Sequence, residues 1–307
     1  MKGSGALYST SKGVVGPTTS INPAGQPQPD MVYTRTMVSI DSVDRDYLLY
    51  GGAGQYVFKL PTPFKNVVAI RLLGMEVPVS FYVFTAAAGN TTLLIKEASA
   101  AAFVSATIPD GNYTLSALCS AVQDALQLAT GNSTYTVSLN CSTLKVTISN
   151  GGAQFRLDTA TNALPQGLFW GLGYFLGFDK GVLPSTNMKL VSTRIANISP
   201  YNYMVLDLGD LNMIQEGDTV KGYFAKVPLN VDNFNYVFLT PECCTYNVAK
   251  YDPPIGRLTT LPVLWRFHDG PKIDFNGYEH SFLLEIITGE GKLNHPQINR
   301  LSGAGSH

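Results

Sequence analysis

The chain has 307 residues, 21 of them Lys or Arg and 22 Asp or Glu, so only 14% of it is charged and the formal net charge is -1. That balance excludes a surface built to attract phosphate backbones, and a hydrophobic content of 45% with slightly positive mean hydropathy excludes a chain that is disordered throughout. The length suits two β-rich domains or one elaborated domain, and the charge falls short of the ~25% usual for soluble domains, which points to a neutral surface meant to be covered.

The opening residues, MKGSGALYSTSKGVVG, have no apolar core of the signal-peptide kind, and the longest nearly apolar run, Leu168 to Phe178, is half a membrane span. Neither a signal peptide nor a transmembrane helix is expected. Cys119, Cys141, Cys243 and Cys244 form no C-x-x-C pair, which argues against zinc and against a disulfide framework and for reduced thiols. Sequons at Asn90, Asn112, Asn132, Asn140 and Asn197 read as Asn- and Thr-rich turns in a chain without an export signal.

Residues 1–30 carry five Gly and four Pro, and Pro17, Pro23, Pro27 and Pro29 preclude a helix or a central strand. This is an extended arm that takes order only from an external contact. From Met31 the texture changes to short β-type runs: VYTRTMVSI, QYVFKL ending before Pro61, and NVVAIRLLGMEVPV, whose two apolar rows suit a strand buried on both sides. The rings of Phe81, Tyr82 and Phe84 follow, and then strands at Thr91 to Lys96 and Ala102 to Ile108, closed by the turn Pro109-Asp110-Gly111.

One amphipathic helix comes next: Thr114 is its cap, Leu115, Leu118, Val122, Ala125 and Leu126 form one stripe, and it stops near Gly131. TYTVSLN and TLKVTISN then read as a hairpin, with QFRLD as a candidate third strand. In LFWGLGYFLGF, Gly171, Gly173 and Gly177 allow turns or close backbone approach. Strands resume at Met188 to Ile198, Tyr203 to Leu208, Val220 to Val227, Tyr236 to Leu239, Arg257 to Phe267 and Phe282 to Ile287. The fold expected is mainly β, a β-sandwich of residues 31–108 and 181–288 interrupted by an α+β insertion at 109–180, with a tail at 289–307.

Few residues invite chemistry. His268 and His280 lie near Asp269, Asp274, Glu279 and Glu285, types that bind metals or move protons. Their spacing matches no helix-face ligand pair, and Asp269-Gly270-Pro271 and Asn276-Gly277 read as turn residues between two strands. Asp41, Asp44 and Asp46 invite a hard cation but lack the glycine and terminal glutamate of a calcium loop, so a loop anchored by Arg45 is the simpler reading. Gly171, Gly173 and Gly177 miss the dinucleotide-binding register by one. No nucleophile has a neighbouring His, and no cofactor and no catalytic or metal residue is assigned. The rings of Phe169, Trp170, Tyr174 and Phe175 are either core or a face for a partner.

The order of "SIDSVDRD", "FKLPTPFKNVVAIRLLGMEVPVSFYVF", "IPDGNYTLSALCSAVQDAL", "GYFLGF", "SPYNYMVLDL" and "DFNGYEHSFLLEI" resembles that in minor structural proteins of large icosahedral double-stranded DNA viruses of the chlorella-virus and mimivirus type. The likeness spans about residues 36–288. It implies a jelly-roll-like sandwich and a giant-virus minor capsid or penton-like vertex protein without catalysis. The implied partners are the major capsid protein, other minor capsid proteins and further copies of the chain, with no direct nucleic acid, in a virion capsid assembled in the host cytoplasm. Pro17, Pro23, Pro27, Pro29, Phe169, Trp170, Tyr174 and Phe175 are then the candidate partner-binding residues. Two rival readings stand beside it: a glycan- or receptor-binding module whose exposed rings, Trp170 above all, stack on sugar, and a hydrolase working through Asp or Glu and His280.

Overall fold

The computed structural model describes residues 31–160, 170–215, 222–240, 248–268 and 272–291. The arm, with Pro17, Pro23, Pro27 and Pro29, as well as Phe169, Cys243, Cys244 and Asp269, lies outside the described residues. In chain order the first elements are β1 (Met31–Asp41), β2 (Gln55–Pro78), β3 (Thr92–Glu97), β4 (Val104–Thr107) and α1 (Leu115–Thr130). Next come β5 (Tyr135–Asn140), β6 (Lys145–Asn150), β7 (Phe155–Asp158), the single turn α2 (Leu172–Phe175), β8 (Val182–Pro184) and β9 (Lys189–Val191). The chain ends with β10 (Tyr203–Asp207), β11 (Ile214–Gln215), β12 (Gly222–Tyr223), β13 (Ala225–Pro228), β14 (Tyr236–Leu239), β15 (Val248–Arg266) and β16 (Ser281–Gly291). The protein is mainly β, as its pattern predicts.

A seven-stranded antiparallel sheet in the order β1-β16-β2-β15-β10-β13, with β14 beside the last residues of β2, carries the larger core. β2 is its spine. At 24 residues it would reach about 80 Å if straight, so it must coil, and its ladders slip between Leu283 and Leu284, Ile287 and Thr288, Lys250 and Ile255, and Leu258 and Thr260. Such slips bend a strand and increase its twist. The curled inner face gathers Ile40, Tyr56, Ile70, Leu72, Val263, Trp265, Phe282, Leu284 and Ile286, in the manner of a sandwich closed on itself.

Pro61 does not end the strand. β2 runs through Pro61 and Pro63 because those residues fall where the ladder to β15 skips, from Lys59 opposite Thr260 to Phe64 opposite Leu258, so no donor is demanded of them. Pro253 and Pro254 sit in a second skip of the same ladder, between Lys250 opposite Ala69 and Ile255 opposite Val67, and β15 begins at Val248 rather than at Arg257.

The smaller core holds α1 against two small sheets, β4-β3-β7-β8 and β5-β6-β9. Thr114 Oγ1 accepts the Ala117 amide, Gly131 closes the helix at φ 67°, and Leu118, Val122, Ala125 and Leu126 are buried, which is the predicted stripe. Three expectations change here. β3 and β4, assigned by sequence to the sandwich, instead turn Leu93, Ile95 and Ala106 toward the helix core. β8 and β9 pair with β7 and β6, so this core extends to Ala196 and is wider than 109–180. β7 joins β3 and β8, and the third strand beside the β5–β6 hairpin is β9. Gly177, at φ 84°, has the Arg194 carbonyl where a Cβ would stand, so close approach requires glycine there.

Truncating Ile286 to Ala, deep in the larger core, is expected to cost about 2–5 kcal/mol. Leu128→Ala, on the open side of α1, should stay within about 0.5 kcal/mol; urea denaturation of the two variants measures both.

Candidate functional site

Between β1 and β2 the chain makes a short 3-10 turn, Ser42–Asp44, and a tight loop to Tyr50. Local chemistry shapes it. Asp41 Oδ1 accepts the Val43 amide, and Asp46 Oδ1 accepts the Leu48 amide at 3.0 Å. These bonds give two of the three clustered aspartates a turn-forming role, and no cluster of three metal-binding side chains occurs among the described residues.

Beneath the loop lies Arg45, its side chain only 4% exposed. Its Nε donates to the Tyr50 carbonyl at 3.1 Å, and its Nη1 donates to the Ser42 carbonyl at 2.7 Å and to Glu279 Oε2 at 2.5 Å. Ser42 Oγ donates to the same Glu279 oxygen and accepts the His280 amide at 2.8 Å. Burial works against the charged Glu279 carboxyl, but the hydrogen bonds from Arg45 and Ser42 outweigh it and hold the carboxyl below its ordinary range. One carboxylate thus ties the loop after β1 to the start of β16, more than 230 residues away in sequence.

His280 continues the anchor into the core. Its ring is enclosed by Tyr56, Trp265, Phe275 and Phe282 at centroid distances of 5.7, 5.2, 5.4 and 6.1 Å. His280 Nε2 lies 3.0 Å from Trp265 Nε1, which donates to it, and 3.0 Å from the Ala53 carbonyl. Burial depresses its pKa to about 4, against partial opposition from the Ala53 carbonyl and from Glu279. Burial likewise raises the Tyr56 phenol far above its ordinary range. At 2% exposure His280 cannot meet a substrate, which removes it from the hydrolase reading. His268 is engaged separately, its Nδ1 2.8 Å from the Tyr203 hydroxyl. Asp274 accepts the Asn276 amide, and Asn276 and Gly277 take left-handed conformations, as turn residues do.

Above this anchor the loop presents Val43, Tyr47, Leu48 and Leu49 to solvent, with Leu48 97% and Leu49 72% exposed. The Arg45 guanidinium lies 4.2 Å from the Tyr47 ring centre. β1 leads into the loop with Met31, Val32, Tyr33 and Met37 also exposed. A second apolar patch is the row Phe234, Tyr236 and Phe238 at β14. Sequence reasoning passed over both; the available signals were the unalternated DYLLY before Gly51-Gly52 and the every-second-residue aromatics of FNYVF.

The aromatic residues proposed for partner binding divide. Phe175 is 1% exposed and belongs to the smaller core, a correction: a ring that fills the helix–sheet interface has no face left for a partner. Tyr174 and Trp170 are half-buried. Trp170 Nε1 donates to the Phe178 carbonyl, and the Arg194 guanidinium covers the ring at 4.4 Å, so it is braced from within the chain rather than open as a sugar platform.

The folded state protonates His280 only near pH 4, whereas the unfolded chain does so near 6.5. The unfolded state therefore binds more protons between those values, and stability falls as pH is lowered through that window, by on the order of 3 kcal/mol. His280→Phe should flatten most of this slope while lowering stability at neutral pH, where Trp265 loses its acceptor. Thermal melts of both proteins from pH 7.5 to 4.5 check this; equal slopes contradict it.

None of the curated proteins matches the chain. Among solved structures, a mavirus penton protein known from a crystal structure is similar with a TM-score of 0.45 at 9% sequence identity, over 85% of this chain and 100% of that one. The model of a family of unknown function, DUF5901, matches residues 32–235, about two thirds of the sequence, and the chain therefore belongs to that family.

Proposed function

We propose that the protein is a non-enzymatic structural subunit of a virion shell, a minor capsid or vertex component that contacts the major capsid protein. The observation that carries this reading is the apolar surface from Met31 to Leu49, displayed on a rigid, ion-paired support. Leucines left open to water cost free energy that only a covering partner recovers, and the Arg45–Glu279 anchor holds them out before the partner arrives. Two sequence traits support it: the motif order resembles that of minor capsid proteins, and a weakly charged exterior can be tiled against neighbours without stranding charges in the interface. The proline-bearing arm of residues 1–30 would add contacts to adjacent shell components, and the virion capsid, assembled in the host cytoplasm, would be its location.

Particle incorporation tests the reading. Quantitative mass spectrometry of purified virions should find the protein at fixed stoichiometry after high-salt washing. Leu48→Asp combined with Leu49→Asp, which leaves every anchor bond intact, should lower incorporation at least about tenfold without moving the melting temperature. A wild-type protein washed out by salt, or a double variant incorporated at the normal level, would contradict it.

A further inference from the structure

The edges of the sheets are unequally protected. Proteins blunt open edges by keeping them short or by placing proline, lysine or a bulge on them. Among the described residues the other outermost strands are six residues or fewer, β13 carries both Lys226 and Pro228, and the long stretches that β15 and β2 leave unpaired beside β10 and β16 carry Pro253, Pro254 and Pro262, and Pro61 and Pro63. β1 is the exception. It runs for eleven residues with no proline, no lysine and no slip in its ladder to β16, from Met31 opposite Gly291 to Asp41 opposite Ser281. Its far edge has no ladder partner among the described residues.

One face of β1 holds Val32, Thr34, Thr36, Val38 and Ile40, and only the last two are buried. The strand thus leaves open both its edge and half of its inner face. We infer that β1 is a homotypic docking strand, through which two copies of this chain join edge to edge in antiparallel fashion about a two-fold axis at Thr36. The register follows from overlap and charge. A two-fold axis through Thr36 pairs all eleven residues, whereas an axis at any other position leaves some unpaired. With the axis at Arg35, one guanidinium would stand opposite its own copy, and like charges directly opposed destabilise a sheet.

About Thr36 the opposed residues are Arg35 with Met37, Tyr33 with Ser39, Thr34 with Val38 and Val32 with Ile40, so no like charges meet and Val32 finds an apolar neighbour. The result is one continuous sheet across two copies, with an isologous interface that closes on itself. This inference goes beyond the shell reading and does not depend on it, since it concerns what the strand binds wherever the protein is found.

Sedimentation of the full chain at micromolar concentration should show a dimer. Thr36→Lys sets two ammonium groups against each other at the axis and should weaken the dimer at least about a hundredfold while the melting temperature holds. Thr36→Cys should form a disulfide-linked dimer under mild oxidant, because opposed residues of an antiparallel pair lie within disulfide reach. Arg35→Cys, which would face Met37 of the other copy, should not exceed the background of the wild type, to which the exposed Cys141 contributes. A monomeric wild type overturns the inference, whether residues 1–30 of the same chain or a different protein take the edge. So does a dimer indifferent to Thr36→Lys, or equal cross-linking at positions 35 and 36.

Discussion

A guanidinium withdrawn from water must find its hydrogen bonds inside the protein, and that requirement on Arg45 organises the most exposed part of the molecule. Uncompensated, a buried charge costs several kcal/mol. Arg45 directs its Nε and Nη1 at two carbonyls of its own loop, those of Tyr50 and Ser42, and at the Glu279 carboxylate from the turn before β16. Satisfying the charge therefore also fixes the loop. Ser42 locks the arrangement by serving Glu279 and the His280 backbone together, and the His280 ring carries it to Trp265 at the centre of the larger core. Leu48 and Leu49 project from a platform that the core itself holds.

The same division of labour runs through the large sheet. Its inner face is apolar and closed, while bulges at the prolines and at the β16 ladder let a 24-residue strand wrap that core. Stability is concentrated inside the curl. At the rim, β1 gives only Val38 and Ile40 to that core, and with the loop after it presents the exposed apolar side chains between Met31 and Leu49. A protein selected only to fold would have little reason to display those side chains; one that works through contact would.

Local features were legible in the sequence because their causes are local. The cap at Thr114, the stripe of α1, the stop at Gly131 and the turn at Asn276-Gly277 each depend on residues a few positions apart. So does the reading of Asp41, Asp44 and Asp46 as a loop anchored by Arg45. What stayed hidden depends on distant partners. Pro61 and Pro63 look like strand breakers until β15 supplies a ladder that skips them. The alternation of β3 marks a half-buried strand but cannot say which of two cores it faces, and the ring of Phe175 has the same composition whether it meets a helix or another protein. The exposure of Leu48 and Leu49 was unreadable for the opposite reason: hydrophobicity predicts burial, and here a distant carboxylate prevents it.

The central claim is that the Arg45–Glu279 pair, rather than the loop's own turns, holds the apolar residues in place. Hydrogen exchange of the Leu48, Leu49 and Tyr50 amides, all directed at Asp46, in the wild type and in Glu279→Ala tests it most directly. The account predicts exchange at least about tenfold faster in the variant at these amides, with the β2–β15 ladder unchanged. Equal protection in the two proteins would show that the loop stands without its anchor and would contradict the account.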